Sequence, residues 1–408
     1  MQVSYSLFGN YTPGYAFYTT TQVLALSALF AYILLIVSKW NVPNIVPSLT
    51  LLAFCVFPGF SMWSVVATKD VIFSGLFGLC VVLLFDLLAM TERGERPSKI
   101  QWVCLGVSLF VMFLFRNNGV YGFILFAIII VVATRKFRKE IFAVSLSVVL
   151  AYGLLTGPLY GVFDIEAGGK QELMSVPAVQ LARTMLNAKG LTDEQKEFIQ
   201  NYVPDWEKYD DSLADPVKGS FQVEKVLEDP LDFVQGYTQL GLKYPGIYSS
   251  AFLRLSVGFW NPMDDYTFGE EQQGMAPFIL GNRKPSELRP ANEYIYMDTE
   301  SFLPHSAYEA LDKARISYPE LSVPGFASLF QTGTWVWLIA FYIVTCVYLR
   351  KRIYLIPALF FFTYWLTLLL GPVSIYRYTM VVFVCVPIFI SVLTSFKYEG
   401  GLKPKGNS

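Results

Sequence analysis

Long apolar stretches alternate with short polar connections over most of the chain. An apolar stretch of about 20 residues crosses the roughly 30 Å hydrocarbon core of a bilayer as a helix. Several stretches are short or contain Pro and Gly, as at Val56-Phe57-Pro58-Gly59, where a helix bundle can satisfy the freed backbone groups. The pattern predicts an all-α polytopic membrane protein with about nine spans, near residues 18–38, 42–60, 71–90, 100–115, 119–134, 140–162, 327–349, 353–373 and 379–396.

One long polar segment, from about Asp164 to Val323, lies between the sixth and seventh predicted spans. We expect it to form a mainly helical extracytoplasmic domain. The predicted organisation is spans one to six in residues 1–162, the domain in 163–326, spans seven to nine in 327–396 and a cytoplasmic tail in 397–408.

Two helical patterns stand out in this polar segment. Within Pro177–Ala188, apolar residues recur at helical spacing and leave Gln180, Arg183 and Thr184 on the opposite face. We expect that face to be solvated, with a membrane-facing cavity as the alternative for Gln180 and Arg183. A longer helical stretch follows from 230 to 259, broken at 244–246 and ended by Trp260-Asn261-Pro262.

A further helix start is predicted from a capping pattern. Thr192 with Gln195 resembles a capping box, in which each residue's side chain bonds the other's backbone, and it predicts a helix through Val203.

Basic residues in the short connections predict the orientation of the spans, because cytoplasmic loops carry an excess of Lys and Arg. With the N-terminus outside, fourteen basic residues fall on the cytoplasmic side. The short outer connections hold only Lys69, Arg116 and Arg377. The asymmetry favours this topology, which also places the polar segment outside.

Composition agrees with the membrane class. Hydrophobic residues make up 54% of the 408 positions and charged residues only 15%, whereas a soluble domain has about a quarter charged residues. The net charge of −1 argues against a nucleic-acid partner, which would require a basic face. The single histidine, His305, gives no support to a His-ligated metal site, and five cysteines inside apolar runs imply no disulfide framework.

The three outer cations are the best candidates for chemistry. Ionisable groups at membrane depth are costly and tend to be functional. Lys69, Arg116 and Arg377 at one bilayer surface could clamp a lipid phosphate, with Asn117, Asn118 and Tyr378 beside them. The alternative is that each cation only extends into the headgroups.

Asp70 and the asparagines each have a structural alternative. Asp70 could act as a general base or metal ligand beside the phosphate. Alternatively, it could simply pair with Lys69, or favour the N-terminus of the helix that begins there. Asn117 and Asn118 could bind a sugar or phosphate oxygen, or cap the next helix. Trp260 could stack on a sugar, or anchor a turn at the membrane interface.

The outer loops resemble those of a known group of proteins. Thr68-Lys69-Asp70, then Arg116-Asn117-Asn118-Gly119, then Tyr376-Arg377-Tyr378 look like the GT-C superfamily of integral-membrane glycosyltransferases, which use polyprenyl-phosphate sugars. The resemblance implies that the Lys69-Asp70 loop is a second outer-loop acidic motif and that Arg377 contacts lipid phosphate.

A closer resemblance is to an uncharacterised bacterial branch of that superfamily. That branch carries a Pro–Gln–Ala-Arg helix in a large loop, here Pro177, Gln180, Ala182 and Arg183. It also carries a Lys-Tyr-Pro-x-x-Tyr segment leading to Trp-x-Pro, here residues 243–248 and 260–262.

The front of the chain departs from the family pattern. Such proteins have one more helix and a first outer loop with an acidic residue taken as the catalytic base. Here the first 69 residues contain no Asp or Glu, and Met1–Tyr18 reads like the tail of that loop. The interpretation we favour is N-terminal truncation, with loss of the base as the alternative.

These observations lead to one hypothesis and two alternatives. The hypothesis is a hexosyl or pentosyl transferase in the bacterial plasma membrane, which moves a sugar from a polyprenyl-phosphate lipid to a cell-envelope glycan. No cofactor is implied with certainty, although a divalent cation is compatible with it. A lipid-linked sugar transporter or flippase is disfavoured, because apart from Asp86 the spans are nearly free of charge. A non-catalytic scaffold subunit is the other alternative.

Overall fold

The computed structural model describes residues 6–7, 12–133, 138–163, 170–262, 306, 331–397 and 402. Over these residues the chain is helical, with an isolated antiparallel bridge between Leu213 and Val373. The helices before the polar segment are α1 (Thr12–Lys39), α2 (Ile45–Val56), α3 (Pro58–Ser64), α4 (Lys69–Glu92), α5 (Lys99–Phe115), α6 (Asn118–Ala133) and α7 (Arg138–Leu154). Helix α7 continues through a π-helical turn at Leu155–Leu159 to Val162.

The polar segment and the last part of the chain are also helical. The polar segment holds α8 (Ser175–Asn187), α9 (Asp193–Tyr202), α10 (Asp215–Lys218), α11 (Val223–Glu228), α12 (Pro230–Lys243), α13 (Pro245–Leu255) and α14 (Val257–Trp260). The last three helices are α15 (Thr332–Tyr348), α16 (Leu355–Leu369) and α17 (Tyr376–Ser395).

Among the described residues, five helices are long and apolar enough to cross a membrane. They are Pro13–Lys39, Lys69–Glu92, Arg138–Val162, Arg352–Leu369 and Tyr376–Ser395. Four shorter apolar helices accompany them: Ile45–Cys55, Lys99–Phe115, Asn118–Val132 and Thr332–Tyr348. The helical class and its compatibility with a membrane agree with the sequence prediction.

Helix α4 lies at the centre of the bundle, where it packs against α1, α5, α16 and α17. Its apolar residues are buried all around the helix, for example Phe77, which stacks on Phe360 at 4.5 Å between ring centroids. A helix that is apolar on every side is suited to a position surrounded by other helices. The charged residues of α4 lie at its two ends, apart from Asp86.

The stretch predicted as one span at 42–60 is divided in two. Phe57 is extended, with φ −65° and ψ 115°, and ends α2 before α3 begins at Pro58. A proline disfavours helical backbone at the residue before it, so the helix stops there. Gly59 in α3 allows close contact with Tyr376, since a Cβ at this position would lie 1.7 Å from the Tyr376 hydroxyl.

Helices α8 to α14 of the polar segment form a domain with a core of its own. We call it the outer domain, after its predicted position. The capping box of Thr192 and Gln195 opens α9, as predicted. The long stretch breaks at Tyr244, as predicted, and breaks a second time at Ser256, which was not predicted. The core includes Val179, Leu181, Ile199, Phe221 and Leu240.

The expectation of a solvated polar face on α8 is wrong. Gln180 and Thr184 are buried and Arg183 is half-buried, because α8 packs on both sides against other helices of the domain. The buried polar atoms find partners there, as buried polar groups require. The Gln180 amide donates to the Tyr248 carbonyl at 3.1 Å and accepts a hydrogen bond from the Tyr237 hydroxyl.

The domain contacts the bundle through the loop between α16 and α17. The Ala214 amide donates to the Pro372 carbonyl at 2.8 Å, beside the Leu213–Val373 bridge. The Ser374 hydroxyl donates to the Leu255 carbonyl at 3.2 Å. This loop leads directly into α17 and Arg377.

Candidate functional site

Three chain segments bring charged residues together at one end of the bundle. Thr68 caps α4, where its side chain accepts a hydrogen bond from the Asp70 amide. Arg116 ends α5 in an extended conformation, immediately before α6. Arg377 lies in the first turn of α17. Because these helix ends lie side by side, residues far apart in sequence become neighbours.

Asp70 lies between the two arginines. Its Oδ1 is 3.0 Å from Arg116 Nη1, and its Oδ2 is 3.8 Å from Arg377 Nε. The Thr68 hydroxyl donates to Asp70 Oδ2 at 3.0 Å. Two guanidinium groups against one carboxylate leave the cluster with one excess positive charge. We call Asp70, Arg116 and Arg377 the charged cluster.

The members of the charged cluster differ in exposure. The Asp70 side chain is 3% exposed and that of Arg116 is 11% exposed, whereas that of Arg377 is 41% exposed. A buried charge is costly unless it is paired. Asp70 and Arg116 therefore form the buried base of the cluster, and Arg377 presents positive charge at its open side.

Tyr378 lies between the two guanidinium groups. Its ring centroid is 4.3 Å from the Arg116 guanidinium carbon and 5.1 Å from that of Arg377. Cations are attracted to the face of an aromatic ring. Arg377 Nη2 also donates to the Tyr378 hydroxyl at 3.4 Å. Tyr378 thus holds both guanidinium groups in place.

The site contains buried polar atoms that lack a hydrogen bond. In the described part of the chain these atoms are Asp70 Oδ1, Arg116 Nη1, Arg377 Nε, Asn118 Oδ1 and the Tyr364 hydroxyl. Asp70 Oδ1, Arg116 Nη1 and Arg377 Nε belong to the ion pairs described above, so their charges are paired without a well-directed hydrogen bond. Asn118 Oδ1 and the Tyr364 hydroxyl lie beside each other. Each guanidinium carries five N–H donors, and one carboxylate cannot match the donors of two arginines. The remaining N–H groups, next to an excess positive charge, suit an anionic ligand with several acceptor oxygens.

The other predicted residues of the site lie in different environments. Of the two structural alternatives for Asp70, pairing with Lys69 is wrong, since Asp70 pairs with the two arginines. A place at a helix N-terminus is confirmed, since Asp70 lies in the first turn of α4. Lys69 is exposed and has no ion pair among the described residues. Asn117 Oδ1 accepts a hydrogen bond from the Tyr152 hydroxyl at 2.9 Å. Asn118 begins α6, and its side chain lies beside Tyr364.

Gln180, Trp260 and Arg183 bind residues other than those of the charged cluster. Gln180 is in the core of the outer domain, as described above. The Trp260 indole N–H donates to Ser256 Oγ at 3.3 Å. The backbone carbonyl of Trp260 accepts a hydrogen bond from the Trp337 indole at 2.8 Å. These contacts hold the turn after α14 against α15.

Arg183 belongs to a second charged group, in the outer domain. Arg183 Nη1 pairs with Asp211 Oδ1, and Arg254 Nη1 pairs with Asp211 Oδ2 at 2.6 Å. The Tyr209 hydroxyl donates to Asp211 Oδ1 at 2.7 Å. Burial and the bond to Asp211 raise the pKa of Tyr209 to about 12, although Arg183 opposes this. Burial alone would lower the pKa of Arg183, but Tyr209 and Asp211 raise it. The tyrosine thus stays neutral and the arginine charged at physiological pH.

Two residues were not predicted from the sequence. They are Tyr364, which lies beside Asn118, and Asp211, which pairs with Arg183 and Arg254. Tyr364 lies inside an apolar run, and its hydroxyl in a membrane span is the signal that could have identified it. Asp211 lies in an acidic stretch of the polar segment, where nothing in the sequence distinguishes it from its neighbours.

The described part of the chain offers no set of ligands for a metal ion. Those residues contain no group of three or more His, Cys, Asp or Glu side chains that could hold a metal ion. His305 lies outside the described residues.

Comparison with known proteins places the chain in a family without an assigned function. No curated protein and no solved structure matches the chain. A family model described as a family of unknown function, DUF6020, matches residues 1–400. Because the match covers nearly the whole chain, the protein belongs to the DUF6020 family.

Proposed function

We propose that this protein is a multi-pass membrane glycosyltransferase that moves a sugar from a polyprenyl-phosphate donor to a cell-envelope glycan. The observation that carries the proposal is the charged cluster. It combines an excess positive charge and an exposed arginine at one end of a bundle of apolar helices. A lipid phosphate fits this combination, because its anionic group lies at the membrane surface and its chain lies among apolar helices.

The proposed arrangement in the membrane has nine spans. The five long apolar helices and the four shorter ones together supply that number, provided that α2 and α3 form one broken span. Helix α2 alone has 12 residues and is about 18 Å long. A helix of 17 residues, such as α5, is about 26 Å long. That is close to the thickness of the hydrocarbon core, so it can cross with slight thinning of the bilayer. The charged cluster and the outer domain then face the extracytoplasmic side of a bacterial plasma membrane.

An apolar cavity among the first three helices supports a lipid donor. It encloses about 330 Å³ between α1, α2 and α3, and its lining includes Phe30, Phe54 and Phe60. Helix α3 also contacts Tyr376, the residue before Arg377, through Gly59. A polyprenyl chain in this cavity would have its phosphate near the end of the bundle that carries Arg377.

In the proposed mechanism the arginines act on the leaving group. The acceptor oxygen bonds to the sugar carbon as the bond from that carbon to the lipid phosphate breaks, and the hydroxyl proton passes to solvent water. Negative charge develops on the departing lipid phosphate. Arg377, the more exposed arginine, contacts the phosphate oxygens and stabilises that charge more strongly in the transition state than in the ground state. Arg116 adds positive charge from the buried side of the cluster, and Lys69 adds it from the exposed surface.

Asp70 has two possible roles, and its geometry favours positioning. Its carboxylate is 3% exposed, and its two oxygens face Arg116, Arg377 and the Thr68 hydroxyl. An acceptor hydroxyl could not reach it without displacing one of these groups. We assign Asp70 the task of holding the guanidinium groups. Its role as general base stays a prediction from the sequence.

The burial of Asp70 also favours a second candidate function. A paired, buried carboxylate could serve only to hold α4, α5 and α17 together in a non-catalytic scaffold subunit. The two candidates differ at Arg377, since a scaffold needs no exposed cation there.

A complementation experiment separates these candidates. A host strain that lacks the gene would be complemented with the wild-type chain, with Arg377→Gln, or with Arg96→Gln. Arg96 is exposed at the opposite end of the bundle and is the matched control. Mass spectrometry would measure the envelope glycan and the pool of polyprenyl-phosphate sugar.

The transferase predicts that Arg377→Gln lowers glycan modification and that donor lipid accumulates. Loss of one contact to the transition-state charge typically costs about 100-fold or more in rate. Arg96→Gln should behave as wild type. Wild-type glycan and donor levels in Arg377→Gln, at equal expression, would instead support the scaffold.

A further inference from the structure

We infer that Asp211 of the outer domain is a positioning residue for Arg377, and that it couples the domain to the charged cluster. The inference rests on the proposed function for its ligand, a lipid phosphate. The evidence is a continuous set of contacts from Asp211 to the start of α17.

Asp211 joins separate elements of the outer domain. Its Oδ1 pairs with Arg183 of α8 and accepts from Tyr209, and its Oδ2 pairs with Arg254 of α13. A carboxylate that pairs with two arginines through separate oxygens fixes their relative positions more firmly than a single surface pair does. Asp211 thereby fixes its own loop against both helices.

The elements that Asp211 joins are the same ones that hold the loop before α17. Two residues after Asp211, Leu213 forms the bridge to Val373, and the Ala214 amide bonds the Pro372 carbonyl. The residue after Arg254 is Leu255, whose carbonyl accepts the Ser374 hydroxyl. The loop between α16 and α17 is therefore held at two points. One follows Asp211 in the chain, and the other follows its partner Arg254.

The loop has little freedom to absorb a shift. It is short, running from the end of α16 at Leu369 to the start of α17 at Tyr376. Val373 and Ile375, on either side of Ser374, are buried, so neither can move without displacing its neighbours. Displacement of residues 372–374 would thus move the first turn of α17. Arg377 lies in that turn, 3.8 Å from Asp70, so its position depends on the outer domain.

Hydrogen–deuterium exchange on the full chain in lipid nanodiscs tests this coupling without any ligand. The variants are Asp211→Asn, which breaks both ion pairs, and Arg254→Gln, which removes a half-exposed partner and threatens folding less. Asp193→Asn is the control, because Asp193 is fully exposed in the same domain. The segments to follow are residues 210–216 and 370–378.

The inference predicts faster exchange in both segments for Asp211→Asn, by about tenfold, as expected when a local contact network opens. Arg254→Gln should show a smaller increase in the same segments, and Asp193→Asn none. Unchanged exchange of residues 370–378 in both Asp211→Asn and Arg254→Gln would overturn the inference.

Ligand selectivity then links the coupling to the phosphate. The probes are farnesyl phosphate and farnesol, which share an apolar chain and differ in the phosphate. The inference predicts that Asp211→Asn weakens farnesyl phosphate binding about tenfold and leaves farnesol binding unchanged, whereas a merely unfolded variant loses both. Equal loss of both ligands would overturn a positioning role.

A disulfide provides the rescue test. Cysteines at Leu213 and Val373, placed in the Asp211→Asn chain, would join the two loops directly across the bridge. The inference predicts that oxidation restores farnesyl phosphate binding and that reduction abolishes it again. No restoration, with the disulfide formed, would overturn it. If the wild-type chain binds farnesyl phosphate no better than farnesol, the proposed function fails, and the exchange experiment alone decides the coupling.

Discussion

At the scale of single residues, the charged cluster is distinguished by unequal burial. Asp70 and Arg116 lie almost entirely away from solvent, so each depends on the other to offset the cost of its burial. Lys69 is the neighbour of Asp70 at the start of α4 but is exposed, and solvent stabilises its charge. Adjacent residues can therefore have very different energetic roles.

The first prediction concerns this difference. Asp70→Asn leaves two guanidinium groups without their counter-charge, and removal of one partner from a buried pair typically costs about 3–5 kcal/mol. Lys69→Gln should change stability by less than about 0.5 kcal/mol, as is usual for surface substitutions. Thermal unfolding in detergent would measure both. Equal melting temperatures for the two variants would contradict the assigned pairing.

Removal of both charges gives a check on the pair itself. Asp70→Asn combined with Arg116→Gln should be less destabilised than the sum of the single variants, since neither buried charge is then left unpaired. Additive effects would mean that the two side chains do not interact.

At the scale of helices, the site depends on close packing between α6 and α16. A Cβ at Gly122 would lie 2.8 Å from the Tyr364 Cα, so only glycine allows the two backbones to approach this closely. The same contact brings the Tyr364 hydroxyl beside Asn118, next to the charged cluster. Small residues commonly serve this purpose between membrane helices.

A pair of glycine substitutions tests this packing. Gly122→Ala should force α6 away from α16 and destabilise the protein by about 1–3 kcal/mol, as overpacking usually does. Gly153→Ala in α7 is the control, because no atom lies within 4 Å of a Cβ there. It should be neutral or slightly stabilising, since alanine favours a helix more than glycine does. Unfolding of both variants in denaturant gives the comparison, and a neutral Gly122→Ala would refute the close approach.

At the scale of the whole molecule, the two ends of the bundle differ. The outer domain and the charged cluster share one end, at which α4, α6 and α17 begin. At the other end Glu92 contacts Tyr354 and Lys351, and Arg93 Nη1 donates to the Leu402 carbonyl at 2.9 Å. Positive charge in the connections at that second end favours the cytoplasmic side.

Cysteine labelling tests the proposed orientation. Lys196→Cys in the outer domain and Lys99→Cys at the opposite end both replace exposed lysines. They would be placed in a chain whose exposed Cys55 and Cys104 are changed to Ala. A membrane-impermeant maleimide should label residue 196 in intact cells and residue 99 only after permeabilisation. The reverse pattern would contradict the orientation, and with it the extracytoplasmic site.

The sequence by itself determined the helical class, the apolar helices and several local helix starts. Hydrophobic periodicity and capping depend on residues a few positions apart, so a single sequence contains the full signal. The capping box at Thr192 is an example. The candidate cations were also visible, because a charged residue at the end of an apolar stretch is conspicuous.

Only the tertiary structure decided which of these residues meet. Asp70 pairs with Arg116 and Arg377 rather than with its neighbour Lys69, because the ends of three helices converge there. Gln180 is buried rather than solvated, because α8 packs against other helices on both sides. Contacts between distant segments depend on how helices pack, and the pattern along one chain does not specify that packing.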